Sequence, residues 1–210
     1  MSKLEAGLFC FLGYNRFVRI LDLDQNVLAF FNGLLIGRSN FLDELVKTVA
    51  VYFIYALPVI LLILWFAFAK KREALWLSFM ACLFSWLAIA KAIVPNIWFR
   101  PRPDLGLVGA TELLFRRPDY SFPSDHAAAL FAITFGLYAF GWKRAGHWFL
   151  VYALIVSITR VAVGVHFPLD ILAGAAAAAI GVGVAALLKR PLVKYLMDPI
   201  VSLMHKVGIK

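Results

Sequence analysis

The 210-residue chain is 63% hydrophobic and 16% charged, and its mean hydropathy is +0.84. Soluble domains use roughly 45–50% apolar residues, so this composition excludes an ordinary soluble domain and predicts a chain that folds in lipid. The formal net charge of +9 does not indicate a nucleic-acid binder, because the basic residues form short clusters between apolar runs and not one continuous face or tail. No nucleic-acid partner is therefore expected.

The N-terminal region, residues 1–40, predicts either an interfacial helix or an additional membrane helix. The stretch 21–37 mixes Asp22, Asp24 and Asn32 with an apolar face, a pattern typical of a helix that lies flat on a membrane. Together with the apolar residues 4–13, the same stretch could instead form another crossing. The two alternatives differ by one in the number of membrane helices.

Later segments are apolar enough to cross a bilayer, which takes about 20 mostly apolar residues per helix. Four segments meet this requirement, and a fifth, 147–165, meets it if Arg160 is tolerated. The four segments are 48–69, 74–94, 123–142 and 167–188. The predicted fold class is therefore all-α, a polytopic integral membrane bundle of five to six transmembrane helices that forms a single domain over residues 1–210. Small residues at 173–186 predict close helix packing in lipid.

The basic clusters predict the orientation of this bundle. Lysine and arginine in short loops favour the cytoplasmic side, and the connections that would share one side carry most of them. These residues are Lys70, Lys71, Arg72, Lys143, Arg144, Lys189, Arg190, Lys194, Lys206 and Lys210. The polar connection 95–122 would then face outward, as an extracytoplasmic loop, although its own arginines count against that orientation.

Polar and charged residues gather at the predicted outer end of the spans. Ionisable residues within or beside membrane helices are costly, so they call for a partner or a function. The set comprises Lys91, Arg100, Arg102, Ser124, Asp125, His126, Arg160, His166 and Asp170. Cations exceed carboxylates in this set, which favours a phosphate ligand, because arginine forks match phosphate oxygens. Ser124 is a predicted N-cap, so free backbone N–H groups at a helix start would also face the anion.

The two histidines indicate that the site catalyses a reaction in addition to binding phosphate. Pro168 fits the first turn of a helix, which places His166 just before that helix and Asp170 within its first turn. Asp170 is therefore predicted to hold one imidazole nitrogen, so that the other can attack phosphorus through a phosphohistidine intermediate. His126 would protonate the leaving oxygen.

Simpler interpretations stay open for each residue taken alone. Arg100 and Arg102 could be snorkelling interface anchors, and Arg160 could pair with Asp170 to tie two helices together. The two histidines and Asp170 could ligate zinc, although the surrounding arginines would repel a dication. A protein of another class, a transporter or a lipid-binding protein, could recognise the same phosphate without cleaving it.

Taken together, the motifs resemble those of the type-2 phosphatidic acid phosphatase superfamily. The pattern Ser-Arg, five residues, His, three residues, Asp is matched by TRVAVGVHFPLD at 159–170, with Thr159 in the serine position. The pattern Pro-Ser-Gly-His is matched by PSDH at 123–126, with Asp125 in place of glycine. PSDH after RPRP resembles the undecaprenyl-diphosphate phosphatase branch, of the bacitracin-resistance type. The pattern Lys, six residues, Arg-Pro is matched loosely, because Lys91 precedes the two RPRP arginines by nine and eleven positions.

The resemblance implies a role for each residue. It makes His166 the nucleophile, Asp170 its partner and His126 the general acid. The implied phosphate ligands are Arg102, Ser124 and Arg160, with Arg100, Lys91 and Asp125 as further candidates. It also implies a helical bundle with a core of six helices and no metal or other cofactor.

The same resemblance suggests the substrate and the location. The expected substrate is a lipid in the bilayer, first undecaprenyl diphosphate, with phosphatidate, phosphatidylglycerol phosphate or lipid A phosphates as alternatives. The expected location is the bacterial cytoplasmic membrane, with the site facing the periplasm. The sequence makes no prediction of an oligomeric state.

Overall fold

The computed structural model describes residues 21–107, 109–115 and 118–209, and the described chain is a bundle of helices. The possible crossing through residues 4–13 lies outside these ranges. The helices are α1 (21–35), α2 (Asn40–Ala67), α3 (Ala69–Ile97), α4 (Asp125–Ala139), α5 (Lys143–Ala162), α6 (Pro168–Leu187) and α7 (Asp198–Lys206).

Three of the helical stretches are irregular. In α2 a 3₁₀ turn, Phe53–Tyr55, separates two α-helical parts, and α3 opens with the 3₁₀ turn Ala69–Lys71. The second half of α3, Phe84–Ile93, is π-helical. Before α7 lie the short helix Lys189–Pro191 and the π-helical Leu192–Met197.

Among the described residues, four helices are long and apolar enough to cross a membrane, and they are α2, α3, α5 and α6. The predicted segment 147–165 is one of them, because α5 runs for 20 residues with Arg160 near its end. The segment 123–142 contains α4, which has only 15 residues and is too short to be counted among the membrane-spanning helices. A span count of five to six is therefore not reached by the described helices.

Helix α4 lies at the centre of the bundle, packed by α3, α5 and α6. Most of its side chains are buried. At about 1.5 Å per residue it is roughly 22 Å long. A helix enclosed by other helices does not have to match the bilayer thickness, which explains how this segment can be short and still lie in the core.

Small residues let α6 approach its neighbours, as the alanine- and glycine-rich stretch predicted. A Cβ atom on Gly174 would lie 2.6 Å from the carbonyl oxygen of Ser124 at the start of α4. One on Gly181 would lie 2.1 Å from the Ser85 hydroxyl oxygen of α3. The first contact sets the distance between the N-termini of α4 and α6.

Helix α1 buries two of its polar residues and exposes some of its apolar ones. Asp24 and Asn32 are each 2% exposed, whereas Leu23 and Phe30 are 62% and 63% exposed. The Asn32 amide donates to the Ala162 carbonyl at 2.8 Å, which ties α1 to the end of α5. The predicted helix is therefore present, with Asp24 and Asn32 facing protein, whereas Leu23 and Phe30 are exposed together with Asp22.

The connection 95–122 folds back on itself over the same end of the bundle. Pro101 and Tyr120 form an isolated antiparallel bridge, and the Ser121 N–H donates to the Arg100 carbonyl at 2.8 Å. Asn32 fixes the middle of the connection through the backbone of Thr111, with contacts of 2.9 Å in both directions. The loop is thus anchored at several points over the end where α4 and α6 begin.

Replacing Gly174 by alanine tests the close approach of α6 to α4. The new Cβ meets a backbone oxygen, which cannot move without the start of α4, so we expect a loss of about 1–3 kcal/mol in the free energy of unfolding. Gly183→Ala is the matched control, because nothing lies within 4 Å of a Cβ there, and it should be neutral or stabilising by up to about 1 kcal/mol. Thermal unfolding in detergent measures both; equal effects of the two changes would contradict the packing described.

Candidate active site

Three helix ends bring the predicted catalytic residues together. His126 lies in the first turn of α4, Arg160 in the last turn of α5, and His166 in the turn before α6. The Arg160 guanidinium lies between the two imidazoles, with Nη1 at 3.4 Å from His126 Nε2 and Nη2 at 3.1 Å from His166 Nε2. Both rings therefore face one small space, as the sequence predicted.

The contacts of His166 define its tautomer. Its Nδ1 lies 2.9 Å from the Ser121 carbonyl oxygen, which can only accept, so Nδ1 carries the proton. Nε2 then accepts from the Arg160 guanidinium and has a lone pair in the site. Burial lowers the pKa of His166 to about 4, so the imidazole is neutral at neutral pH. A neutral, oriented imidazole has the form that a nucleophile requires.

Asp170 lies near His166, but it does not make the predicted hydrogen bond. Its Oδ2 is 3.7 Å from His166 Nδ1, beyond hydrogen-bonding distance. The same oxygen accepts the Phe167 N–H at 2.8 Å, as an acidic side chain in a first helical turn commonly does. Asp170 thus shapes the turn that presents the histidine, and the Ser121 carbonyl, which the sequence did not single out, fixes the ring.

Asp125 orients the other histidine. Its Oδ1 lies 2.7 Å from His126 Nδ1 and accepts the His126 backbone N–H at 2.9 Å. The carboxylate is directed at the imidazole, and the role of Asp125 as a phosphate ligand stays a prediction. A carboxylate in this position favours the protonated ring.

Ser124 is the N-cap of α4, as predicted. Its hydroxyl accepts the Ala127 N–H at 3.4 Å, and its own N–H donates to the Asp170 carbonyl at 2.9 Å. The second bond joins the beginnings of α4 and α6. The positive end of the α4 dipole consequently lies beside the histidines.

The two RPRP arginines, predicted as phosphate ligands, are held by carboxylates. Arg102 contacts Asp119 through Nε and Nη2, the latter at 3.2 Å, and donates to the Val165 carbonyl at 2.7 Å. Arg100 donates to Asp170 at 2.8 Å and to Asp24 at 2.5 Å. Each of its two terminal nitrogens thus contacts a carboxylate, and phosphate binding by Arg100 stays a prediction. Arg102 borders the site but is likewise engaged by Asp119.

Lys91 is not part of the cluster. It lies on the exposed side of α3, where its Nζ is 5.0 Å from the centre of the Trp86 ring. A long cationic side chain on an exposed helix face extends along apolar surface toward water. The prediction of Lys91 as a phosphate ligand is therefore not supported by its position, in keeping with the loose match of its motif.

Sequence reasoning missed two acidic partners. Asp24 and Asp119 each hold one arginine, yet they are separated from Arg100 and Arg102 by 76 and 17 residues. The signal for Asp24 was a charged residue eight positions before Asn32 in a helix that mixes polar and apolar residues.

Comparison with known proteins places the chain in a family. Residues 73–193, more than half of the chain, match the PAP2 superfamily. The chain belongs to this superfamily, which confirms the resemblance of its motifs. It is a lipid phosphatase, a hydrolase with apolar helices suited to the membrane.

Individual relatives refine the comparison. The Bacillus licheniformis protein named bacitracin transport permease protein BcrC is 32% identical over 155 residues, 73% of this chain and 74% of that protein. An undecaprenyl-diphosphatase of Sulfolobus acidocaldarius is 33% identical over 170 residues, 78% of this chain and 72% of that protein. The crystal structure of Aquifex aeolicus LpxE covers 77% of this chain and 93% of its own, with a TM-score of 0.60 and 24% identity, and supports the fold. The similarity to BcrC supports the bacitracin-resistance branch.

The depressed pKa of His166 predicts how stability depends on pH. The folded ring has a pKa of about 4, below the ordinary histidine pKa of 6.5, so the unfolded chain binds more protons between these values and stability is lost as the pH falls. Relative to His166→Gln, the wild type should lose about 3 kcal/mol of unfolding free energy between pH 7 and pH 4. Thermal unfolding of both proteins across this range measures the difference. If the unfolding free energy of both proteins changed with pH in the same way, the His166 ring would not be desolvated.

Proposed function

We propose that this lipid phosphatase hydrolyses undecaprenyl diphosphate to undecaprenyl phosphate and inorganic phosphate through a phosphohistidine intermediate. The observation that carries the proposal is the placement of two imidazoles on one guanidinium, at 3.1 and 3.4 Å. A phosphate that takes the donors of Arg160 would lie within reach of both rings.

In the first step, the lone pair on His166 Nε2 attacks the terminal phosphorus. The bond between phosphorus and the bridging oxygen breaks, and the electron pair leaves with undecaprenyl phosphate. His126, protonated on both nitrogens beside Asp125, donates its Nε2 proton to that oxygen. Arg160 binds the non-bridging oxygens, and the positive end of the α4 dipole stabilises their negative charge.

In the second step, water attacks the phosphohistidine. His126, now neutral, accepts a proton from the water as the bond between His166 Nε2 and phosphorus breaks. Phosphate leaves, and His166 returns to the neutral tautomer that the Ser121 carbonyl holds. Arg102 stays a candidate ligand in both steps, but its guanidinium has to leave Asp119 to reach the phosphate.

A metal ion takes no part in this mechanism. The space between His126 and His166 is lined by the Arg160 guanidinium, and a dication there would be repelled by that charge. The chemistry of the site fits an anion, whose charge the guanidinium and the helix dipole both stabilise.

The choice of substrate rests on similarity. Asp125 after Pro-Ser, the preceding RPRP, and the undecaprenyl-diphosphatase name of the Sulfolobus relative support a lipid diphosphate. Such a product would return to the synthesis of peptidoglycan precursors, and bacitracin resistance would follow from the same activity. Phosphatidate, phosphatidylglycerol phosphate and lipid A phosphates are the alternative substrates.

The proposed location is the bacterial cytoplasmic membrane, with residues 1–210 forming one domain and the site at the extracytoplasmic face. Helix α5 carries Lys143 at its start and Arg160 near its end, so about 26 Å of helix separates them. Basic groups cluster at the far end, where Lys71 donates to the Gly141 carbonyl at 3.0 Å and Lys189 pairs with Glu73 at 2.7 Å. By the positive-inside rule that end faces the cytoplasm.

Phosphate release by the purified protein in detergent tests this proposal. We expect release from undecaprenyl diphosphate in the presence of EDTA, and slower release from phosphatidate, phosphatidylglycerol phosphate and lipid A. His166→Ala should lose at least about 10³-fold in kcat, because no other side chain replaces the nucleophile. The control is His147→Ala, an exposed histidine on α5 whose Nδ1 contacts the Lys143 carbonyl at 2.7 Å.

Three results would overturn parts of the proposal. Loss of release with EDTA would favour zinc, and faster release from another lipid would change the substrate. Binding of the diphosphate without release of phosphate would favour the transport or lipid-binding alternative. The name of the Bacillus licheniformis relative, a transport permease, agrees with that alternative.

A further inference from the structure

Helix α1 contributes a buried carboxylate that the proposed mechanism does not use. The Asp24 side chain has 0% exposure, and it lies outside residues 73–193, the segment that matches the superfamily. Its Oδ1 accepts the Leu169 N–H at 2.8 Å, and its Oδ2 accepts from Arg100 at 2.5 Å. A buried carboxylate is costly unless it is paired in this way.

Arg100 connects this carboxylate to the reaction centre. One terminal nitrogen donates to Asp24 and the other to Asp170 Oδ1 at 2.8 Å, so a single guanidinium is shared between two buried acids. Its Cζ also lies 4.0 Å from the centre of the Phe167 ring. The two carboxylates meanwhile accept the N–H groups of Leu169 and Phe167. The turn that presents the nucleophile is thus held by both acids.

The charges of Asp24, Arg100 and Asp170 together set the electrostatic potential at His166. Arg100 alone would neutralise Asp170, whereas two carboxylates and one guanidinium carry one net negative charge. The Asp170 Oδ2 lies 3.7 Å from His166 Nδ1. When Nε2 bonds to phosphorus the imidazole ring becomes positive, and a nearby net negative charge stabilises it.

We propose that Asp24 is a positioning residue of the phosphatase. It fixes Arg100 beside the turn that presents the nucleophile and offsets the charge of that arginine, so that Asp170 keeps its negative potential at His166. This inference rests on the proposed phosphohistidine chemistry. Asp24 itself touches neither the substrate nor the reacting atoms, so it acts through Arg100 and Asp170.

Steady-state kinetics of the full chain in detergent, with undecaprenyl diphosphate as substrate, test this inference. Asp24→Asn keeps the shape of the side chain and removes the charge. We expect kcat to fall about 10-fold to 100-fold with KM unchanged within about twofold, because the substrate contacts stay in place. The matched control is Asp22→Asn, which alters an exposed carboxylate of the same helix and should leave both constants unchanged.

A second variant distinguishes an effect of the Asp24 charge from a purely structural effect of its salt bridge with Arg100. Asp24→Asn combined with Arg100→Gln restores one net negative charge, that of Asp170 alone, and it leaves no unbalanced guanidinium. We expect its kcat to exceed that of Asp24→Asn. A purely structural role for the salt bridge would make the double variant the worse of the two, and that result would overturn the inference, as would a full kcat in Asp24→Asn.

The folding of the variant and the phosphatase activity of the wild type are controlled separately. If Asp24→Asn is not recovered as folded protein, the double variant is compared with the wild type, and a fall in kcat beyond about 100-fold would contradict the inference. Wild-type protein that releases no phosphate would refute the proposed function and this inference together. Wild-type activity with an unaltered Asp24→Asn variant would refute only the role of Asp24.

Discussion

The rest of the structure depends on the burial of one cation. Arg160 is 4% exposed at the end of an apolar helix, and a buried charge is stable only when its donors are satisfied. Nη1 reaches the Ala50 carbonyl of α2 at 3.0 Å and lies beside His126 of α4, while Nη2 reaches His166 before α6. Four parts of the bundle therefore meet at this guanidinium. The arrangement that places these partners around it is the same one that brings two imidazoles to one anion site.

Different surroundings give the two histidines different chemistry. His166 is 1% exposed and its outer nitrogen faces a neutral carbonyl, which favours the uncharged ring. The His126 side chain is 17% exposed and its outer nitrogen faces the Asp125 carboxylate, which favours the charged ring. One environment suits a nucleophile and the other a proton donor, so the roles proposed here follow from burial and from the outer partner of each ring.

The sequence predicted the parts of this site that depend on local pattern. The N-cap at Ser124, the helix start at Pro168 and the convergence of His126, Arg160 and His166 could all be inferred from spacing and helix-end chemistry. The length of α4 could not, since apolar composition does not show whether a helix faces lipid or is enclosed by other helices.

The salt bridges could not be predicted either. Asp24 and Asp119 are distant in sequence from the arginines they hold, and which carboxylate an arginine finds depends on how loop 95–122 folds over the bundle. The same fold-back brings the Ser121 carbonyl to His166, in the place where the sequence suggested Asp170. The burial of Asp24 and Asn32 in α1 was missed for the same reason, because the sequence pattern alone does not say which residues of a helix meet protein.

The most direct test of the account is to find where the phosphoryl group resides during turnover. Protein mixed with undecaprenyl diphosphate and quenched in alkali, which preserves phosphohistidine, would be digested and its peptides sequenced by mass spectrometry. The account predicts one phosphorylated peptide with the phosphoryl group on His166, absent from His166→Ala. Phosphate release with no modified histidine, or with the phosphoryl group on His126, would contradict it.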